Sequence, residues 1–389
     1  MPTLHHLDIL ILYNGNTACS AASRGKNSSL PFPRKSLNSA CNDAYAYFLS
    51  YCRQLGLSAG FTTSKDIIGA GSASSYWVYQ KNSWQKVNNP CESKIIFDKF
   101  SPHKLIDSSL QSLFFSKRSV KKYNSFRISD IFFDKHKTHT SLLTHTIPTV
   151  PVTSSSLTHI KNACVLIDNL TKITNPQDFS TDYILKDQFG AGGWHVYKVK
   201  GLDKFKQIQT IVSQHKKISF ILQPFALFDR GFIYQNKLAP TDIRLIYLNG
   251  TLFHSYLRFP KTGDYRCNEH QGGTSAYIKE SEIPKNIRSK ADLISSSLKT
   301  TSLIALDFIV TNNGTPYLVE GNTGPGLSWN ENIKKEVYMG KKLIRGIVDQ
   351  LYTSNFNLNP KKPNSAKLPL WTTLPSSLSE LPVTSLNSN

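Results

Sequence analysis

The chain has 389 residues, 39% of them hydrophobic, so it can build two or three packed units with real cores. Its formal net charge of +20 suits a polyanionic partner or an acidic substrate. We do not expect a nucleic-acid function, because the basic residues form no consecutive block and the aromatic residues lie mostly in strand-like runs.

The cysteines and the apolar segments exclude further classes. No CxxC or His-paired spacing indicates a zinc or redox site, so we expect reduced thiols in a cytoplasmic protein. The six cysteines are Cys19, Cys41, Cys52, Cys91, Cys164 and Cys267. The first residues lack the basic region and cleavage site of a signal peptide. No stretch approaches the ~20 apolar residues of a membrane span, so we expect no membrane insertion.

The N-terminal part predicts an open α/β unit. Leu7–Tyr13 is apolar almost throughout, which is typical of a strand buried on both faces. Asn42 and Asp43 are predicted to cap a helix, which Gly56 ends. The segment SAGFTT follows as a second strand. This β-α-β order predicts an open α/β domain over residues 1–129.

The loop at residues 14–40 follows the first strand. Loops at the carboxyl ends of such strands commonly hold ligands. This loop contains Arg24, Lys26, Arg34 and Lys35, with only neutral residues between them. We therefore expect it to attract an acidic substrate.

A second unit is predicted over residues 130–225. DKHKTHTSLLTHT is interpreted as a helix and IPTVPVTS as an extended segment. A strand at Tyr183–Leu185, the glycine loop QFGAGG, the strand WHVYKV and a helix at Leu202–His215 follow.

A third unit is predicted over residues 226–353. It contains Asn-Gly turns at 249–250 and 313–314, and helices near 280–302 and 336–352. Residues 354–389 are rich in Pro, Ser and Asn, so we expect a disordered tail or a short docking strap.

The hairpin around Asn313-Gly314 carries the most informative spacing. A two-residue type I′ turn at this dipeptide places Asp307 directly opposite Glu320, and strand alternation puts Asn322 on the same face. Such carboxylates repel unless a cation or proton lies between them. Two carboxylates and an amide oxygen suit Mg²⁺, although an ordinary hairpin with two solvated acids would show the same spacing.

The hairpin around Asn249-Gly250 brings a difficulty. With an ideal turn, Arg244 faces Ser255 and Arg258 lies on the opposite face of the sheet. A β-bulge would be needed to bring both arginines into one pocket. We therefore favour Arg258 as a site residue and expect Arg244 to pair with an acidic neighbour.

A glycine loop follows Lys186, which ends a strand. Gly190, Gly192 and Gly193 allow backbone N–H groups to approach an anion, and a lysine ammonium suits a phosphate. No helix follows, so this is neither a Walker loop nor a Rossmann fingerprint. A flexible turn after a lysine is the simpler explanation of this segment alone.

Together these blocks resemble the ATP-grasp carboxylate–amine ligases, especially glutathione synthetase and the RimK-type glutamate ligases. The glycine loop resembles K-x-x-x-G-x-G-G, and TDIRLIYLNGTLFHSYLRFPKTGDYRCNEHQGG resembles the stretch from D-x-R to R-x-N and a Gly pair. ALDFIV and LVEGNTGPGL resemble the metal-binding D and E-x-N-x-x-P-G-L blocks. The order and spacing of these blocks match those of the family over about residues 130–352.

The resemblance implies an α/β (α+β) ATP-grasp fold behind an N-terminal pre-ATP-grasp domain. It implies ATP-dependent joining of a carboxylate to an amine through an acyl phosphate, with Mg²⁺, or alternatively Mn²⁺, as the metal. The substrates stay open between an amino acid or small peptide and a protein or peptide tail, and the oligomeric state stays open as well. The competing hypothesis is a nucleotide-binding scaffold whose basic N-terminal domain binds a partner.

The resemblance also implies roles for individual residues. The metal ligands would be Asp307, Glu320 and Asn322. The phosphate contacts would be Lys186, the glycines of the loop, and either Lys135 or Lys137. The adenine and ribose contacts would be Gln223, Pro224, Phe225 and Asp229. The γ-phosphate and carboxylate contacts would be Arg258, Arg266 and Asn268.

Overall fold

The computed structural model describes residues 3–25, 28–100, 105–236, 239–298 and 302–356. The strands are β1 (His5–His6), β2 (Ile9–Tyr13), β3 (Ala59–Thr63), β4 (Ile67–Gly69), β5 (Ser72–Ala73), β6 (Tyr76–Gln80), β7 (Ser83–Val87), β8 (Cys91–Glu92), β9 (Ile95–Lys99), β10 (Lys121–Tyr123), β11 (Val150–Val152), β12 (Phe179–Asp187), β13 (Val196–Val199), β14 (Phe220–Ala226), β15 (Asp242–Leu248), β16 (Thr251–Phe259), β17 (Thr274–Tyr277), β18 (Leu303–Val310) and β19 (Pro316–Asn322). The α-helices are α1 (Cys41–Gln54), α2 (Leu105–Phe114), α3 (Phe126–Phe133), α4 (Lys135–Ser141), α5 (Leu157–Thr174), α6 (Lys204–Gln214), α7 (Lys285–Ser297) and α8 (Lys334–Phe356).

The N-terminal sheet has the strand order β10-β9-β2-β3-β6-β7. Its first four strands are parallel and the last two are antiparallel. Ile9 to Leu12 of β2 are fully buried, which confirms the prediction of a strand covered on both faces. The tail beyond residue 356 lies outside the described residues.

The start of α1 differs from the prediction. Ala40 is the N-cap and makes no side-chain cap, so Asn42 and Asp43 lie inside the first turn. Asn42 uses its amide to bind the backbone N–H and carbonyl of Phe32, which fastens the loop before the helix. Gly56 ends the helix at a φ of +79°, as predicted.

The middle sheet is antiparallel in the order β11-β14-β12-β13. Helices α5 and α6 cover one face, where Ile160, Ile167 and Ile208 pack against Leu185 and Leu222. The glycine loop joins β12 to β13, and no helix follows it, as predicted.

The C-terminal sheet is antiparallel in the order β17-β16-β15-β18-β19. One face is apolar and packs against α7 through Leu245, Leu257 and Leu306. Strand alternation therefore leaves Asp242 and Arg244 on the other face, which borders the candidate site. Helix α8 packs against both α1 and β16, so it joins this sheet to the N-terminal unit.

The first Asn-Gly turn is type I′, since Asn249 and Gly250 have φ of +51° and +78°. Phe253 is unpaired between two registers, which forms a β-bulge. Because of this β-bulge Arg244 pairs with Tyr256, so the pairing with Ser255 expected from an ideal turn is wrong. The bulge places Arg244 and Arg258 on the same face of the sheet.

The second Asn-Gly turn is not the predicted two-residue turn. Thr311 pairs with Thr315 by a backbone bond of 2.9 Å, so the loop has three residues, and only Gly314 among them has positive φ. This shifts the register by one residue. A bulge at Val319 shifts it back, so that Asp307 pairs with Glu320 as predicted.

Among the residues that the structure places, no helix combines the length and apolar character needed to cross a membrane.

Candidate active site

A cleft lies between the middle sheet and the C-terminal sheet. It brings together most of the site residues predicted from the sequence. Those that line it are Lys135, Lys186, Gly190, Gly193, Gln223, Pro224, Phe225, Arg266, Asn268 and Glu320. These residues come from stretches of the chain far apart in sequence, so the fold itself assembles the cleft.

The structure distinguishes the two lysines that the sequence left open. Lys135 is the first residue of α4, and its ammonium contacts the carbonyl of Gly190 and lies 4.0 Å from a carboxylate oxygen of Glu320. Lys137 instead forms an exposed ion pair with Asp130. Lys135 is therefore the lysine of α4 that lines the cleft.

Lys186 lies near the end of β12 with 6% of its surface exposed. Burial and, to a lesser extent, the charge of Lys135 lower the pKa of its ammonium, Glu320 partly offsets both, and the resulting pKa is about 7. An anion bound here would stabilise the charged form. The cleft thus holds a lysine whose protonation depends on what binds.

ATP is the anion that the sequence resemblance implies for this cleft, and the pKa of Lys186 predicts that its binding depends on pH. As pH rises through 7, free Lys186 loses its proton, and ATP must then bind together with a proton. We expect ATP affinity to fall about fivefold between pH 7 and pH 8, with proton uptake measurable by titration calorimetry in buffers of different ionisation enthalpy. Lys186→Arg should remove this dependence, because guanidinium stays charged. A wild-type affinity that is constant over this range would contradict the assignment.

The glycine loop closely approaches the loop before β17. Gly192 and Gly193 have φ of +67° and +75°, and a Cβ on Gly193 would lie 2.8 Å from Oδ1 of Asn268. Gln271 donates to the Gly192 carbonyl at 3.2 Å, and Arg266 reaches the Gly193 carbonyl at 3.5 Å. These contacts hold the glycine loop against the loop before β17, and both loops contribute residues to the cleft lining.

Arg266 is oriented by Asp264. The guanidinium donates from Nη2 to Asp264 at 2.8 Å and from Nε to both carboxylate oxygens at 3.2 Å. These hydrogen bonds lower the pKa of Asp264 to about 2, so the pair is fully ionised near neutral pH.

Asp307 is surrounded by arginines. Arg244 donates to both of its oxygens at 2.6 Å, and Arg258 donates to one at 2.7 Å and also binds Asp242. Burial alone would raise the pKa of Asp307, but the two guanidiniums outweigh it and hold the pKa below its usual range. The repulsion between Asp307 and Glu320 expected from the sequence is therefore offset by arginines.

The donor set still fits a hard cation. No three His, Cys, Asp or Glu side chains group as a metal site in the part of the chain that the structure describes. Asp307 accepts three hydrogen bonds from arginines out of about four lone-pair directions, which leaves room for one more partner. Glu320 and Asn322 share its face of the hairpin. One or two carboxylates, an amide oxygen and phosphate oxygens are the shell that Mg²⁺ takes.

Strand β14 contributes a further part of the cleft lining. Gln223 and Phe225 line the cleft, and the ammonium of Lys198 lies 3.5 Å from the centroid of the Phe225 ring. Asp229 is not among the lining residues, since its carboxylate is exposed and accepts from Asn312 at 2.9 Å. The structure does not bring Asp229 into the cleft.

Four other predicted site residues are not part of the cleft lining. The lining does not include Gly192, Arg258, Asp307 and Asn322. Sequence reasoning missed Asp242, which lines the cleft and binds Arg258. Asp242 lies two residues before Arg244, which puts both side chains on one face of β15. This spacing could have indicated Asp242 from the sequence.

Comparison with known proteins decides the family. The profile described as RimK-like ATP-grasp domain matches residues 133–347, more than half of the chain. The chain belongs to this family. A probable alpha-L-glutamate ligase of Coxiella burnetii is 27% identical over 150 residues, which are 36% of this chain and 47% of that protein. This chain thus spans about half the length of the curated relatives it matches.

Solved structures of ATP-grasp ligases have the same fold as this RimK-like ATP-grasp protein. D-alanyl-alanine synthetase A of Vibrio cholerae is 15% identical and covers 90% of this chain and 99% of its own, with a TM-score of 0.53. A Chryseobacterium gregarium RiPP-associated ATP-grasp ligase, in complex with ADP and a leader and core peptide, is 11% identical. The match covers 90% of this chain and 97% of that ligase, with a TM-score of 0.53. The predicted ATP-grasp fold is confirmed.

Proposed function

We propose that this protein is an ATP-dependent ligase that joins a carboxylate to an amine and releases ADP and phosphate. The observation that supports this best is the cleft, where Lys135, Lys186, the glycine loop and Glu320 meet. It lies between residues 130–225 and 226–353, which we propose as the two ATP-grasp subdomains.

The phosphates of ATP would lie between the lysines and the glycine loop. Lys135 and Lys186 supply positive charge, and the loop glycines expose backbone N–H groups. The hairpin ligands Asp307, Glu320 and Asn322 would hold Mg²⁺. When bound, Mg²⁺ would neutralise charge on the phosphates. Gln223 and Phe225 would border the adenine.

The acid substrate would lie at the other side of the γ-phosphate. Arg266 and Asn268 line the cleft there, and a guanidinium suits both a carboxylate and a phosphate. Arg258 does not line the cleft, so we assign it to orienting Asp307 through their 2.7 Å contact. Asp264 holds Arg266 in place at the same time.

The reaction requires no protein nucleophile. An oxygen of the substrate carboxylate attacks the γ-phosphorus, the bond to the β-phosphate oxygen breaks, and ADP leaves. The amine then attacks the acyl carbon of the acyl phosphate, loses a proton, and phosphate leaves. The side chains position the reactants and neutralise their charges, which is how phosphoryl transfer is generally catalysed.

We propose an acidic amino acid or an acidic peptide as one substrate. Relatives are named alpha-L-glutamate ligases, and Arg24, Arg34 and Lys35 add positive charge to the loop after β2. Lys26 of that loop lies outside the described residues. L-glutamate is therefore the first probe, offered both as the acid and as the amine.

The test compares Lys135→Met with Lys137→Met, two lysines of one helix of which only Lys135 lines the cleft. We expect Lys135→Met to weaken ATP binding at least tenfold, because a charge-assisted phosphate contact contributes about 1.5–3 kcal/mol. Lys137→Met should bind ATP as the wild type does. ADP release and amide product are followed by chromatography and mass spectrometry with L-glutamate and amino-acid pools. ATP binding without turnover in any pool would favour a nucleotide-binding scaffold instead.

A further inference from the structure

The loop after β19 is held by a lysine of the N-terminal sheet. Lys99, the last residue of β9, donates from Nζ to the carbonyl oxygens of Gly324 and Pro325 at 2.9 and 2.7 Å. Burial lowers the pKa of this ammonium to about 8. Two of the three donors of Lys99 are thus used on a loop that is more than two hundred residues away in sequence.

A second side chain supports the same loop. Asn124 is buried between β10 and α3, and its amide donates to the Thr323 carbonyl at 2.6 Å. The same amide also exchanges hydrogen bonds with the backbone N–H and carbonyl of Leu303 at 2.8 and 2.9 Å. Asn124 therefore joins the loop after β19 to the start of β18.

These contacts act on the proposed metal ligand Asn322 through the backbone of Gly324. Oδ1 of Asn322 accepts a hydrogen bond from the Gly324 N–H at 2.8 Å. The Gly324 carbonyl is one of the two that Lys99 binds. The direction in which Asn322 presents its oxygen is therefore set by a loop that Lys99 fixes.

We propose that Lys99 is a positioning residue for the metal–nucleotide site, acting through the loop 323–326 on Asn322. This role rests on the proposed function. It makes the site dependent on the N-terminal unit, which supplies Lys99 although none of the residues described before position 130 lines the cleft. Loss of a direct hydrogen-bond partner of a metal ligand typically weakens metal binding about 10- to 100-fold. Lys99 acts on Asn322 one step further away, through Gly324, so we expect a loss at the lower end of this range for Lys99→Met.

The experiment uses the full chain and two readouts. Lys99→Met keeps the apolar stem and removes the donors, whereas Lys99→Arg keeps both charge and donors. Lys86→Met is the matched control, since Lys86 also donates to a backbone carbonyl, that of Ser23, but within the N-terminal unit. Affinity for Mn²⁺ in the presence of ATP is measured by electron paramagnetic resonance, and amide exchange of residues 321–326 is measured without metal.

We expect Lys99→Met to weaken Mn²⁺ binding at least tenfold and to speed exchange in residues 321–326, with Lys99→Arg recovering part of both and Lys86→Met changing neither. Unchanged Mn²⁺ affinity in Lys99→Met would overturn the proposal, whether or not exchange is faster. Equal losses in Lys99→Met and Lys86→Met would also overturn it, because they would reflect general destabilisation. Failure of the wild type to bind Mn²⁺ with ATP would contradict the proposed function, and the wild-type measurement alone reveals this.

Discussion

We expect the Glu320→Gln variant to lose ligation about 10²- to 10³-fold while it keeps its fold. Glu320 lines the cleft and shares one face of the hairpin with Asp307, so the amide removes a negative charge from the proposed metal site. Rates of ADP release and amide formation measure the loss of ligation, and circular dichroism shows whether the fold is kept. Glu282→Gln, at an exposed position outside the cleft, is the control. A Glu320→Gln rate close to that of the control would sink the metal assignment.

The same variant tests how the charge of the hairpin is balanced. Facing carboxylates alone would make Glu320→Gln stabilising by relieving repulsion. In the structure, Arg244 and Arg258 already neutralise Asp307, and Glu320 lies 4.0 Å from Lys135. We therefore expect no rise in the melting temperature without metal. A clear rise would show that the repulsion persists despite the arginines.

The second large effect is expected from Asp307→Asn. This change leaves Arg244 and Arg258 beside a neutral amide in a buried site, and removing one partner of a buried ion pair typically costs about 3–5 kcal/mol. Asp130→Asn removes the acid of the exposed Lys137 pair, where about 0–1 kcal/mol is typical. Urea unfolding of both variants measures the difference. Equal, small losses would show that the buried network contributes little to stability.

The pairing of Asp307 with Glu320 was predicted correctly, although the turn that was assumed for it is wrong. The Asn313-Gly314 dipeptide located the turn, but the loop has three residues and shifts the register by one. The bulge at Val319 reverses that shift, so Asp307 and Glu320 face each other after all. A bulge is set by how the strand packs on its neighbours, and no residue pattern in the hairpin announces it.

Helix α5 was missed although its signals were present. Ser156 caps it by accepting from the His159 N–H, and Ile160, Cys164 and Ile167 repeat at helical spacing on its buried face. Its Thr, Asn and Val residues weaken the helical propensity of this segment. Helix α3, directly before the predicted helix of the second unit, was missed too.

The candidate site was predictable where local chemistry shows its role. Three local patterns each indicate a chemical role: a lysine before glycines, paired acids in a hairpin, and an arginine near an asparagine. The cleft brings most of these residues together. Lys99 was not predictable, because its partners lie more than two hundred residues away in the sequence. Asp242 was missed although its spacing of two from Arg244 was visible. Lys135 and Lys137 could be told apart only by the direction that α4 gives each side chain.

The acyl-phosphate mechanism is tested most directly with a carboxylate substrate labelled with heavy oxygen. If the carboxylate attacks the γ-phosphorus and an amine then displaces phosphate, one labelled oxygen must pass from the acid into the released phosphate. Mass spectrometry of the products of a complete reaction, beginning with labelled L-glutamate, should therefore find the label in phosphate and ADP as the other product. Amide formation with unlabelled phosphate, or with AMP and pyrophosphate in place of ADP, would contradict the account.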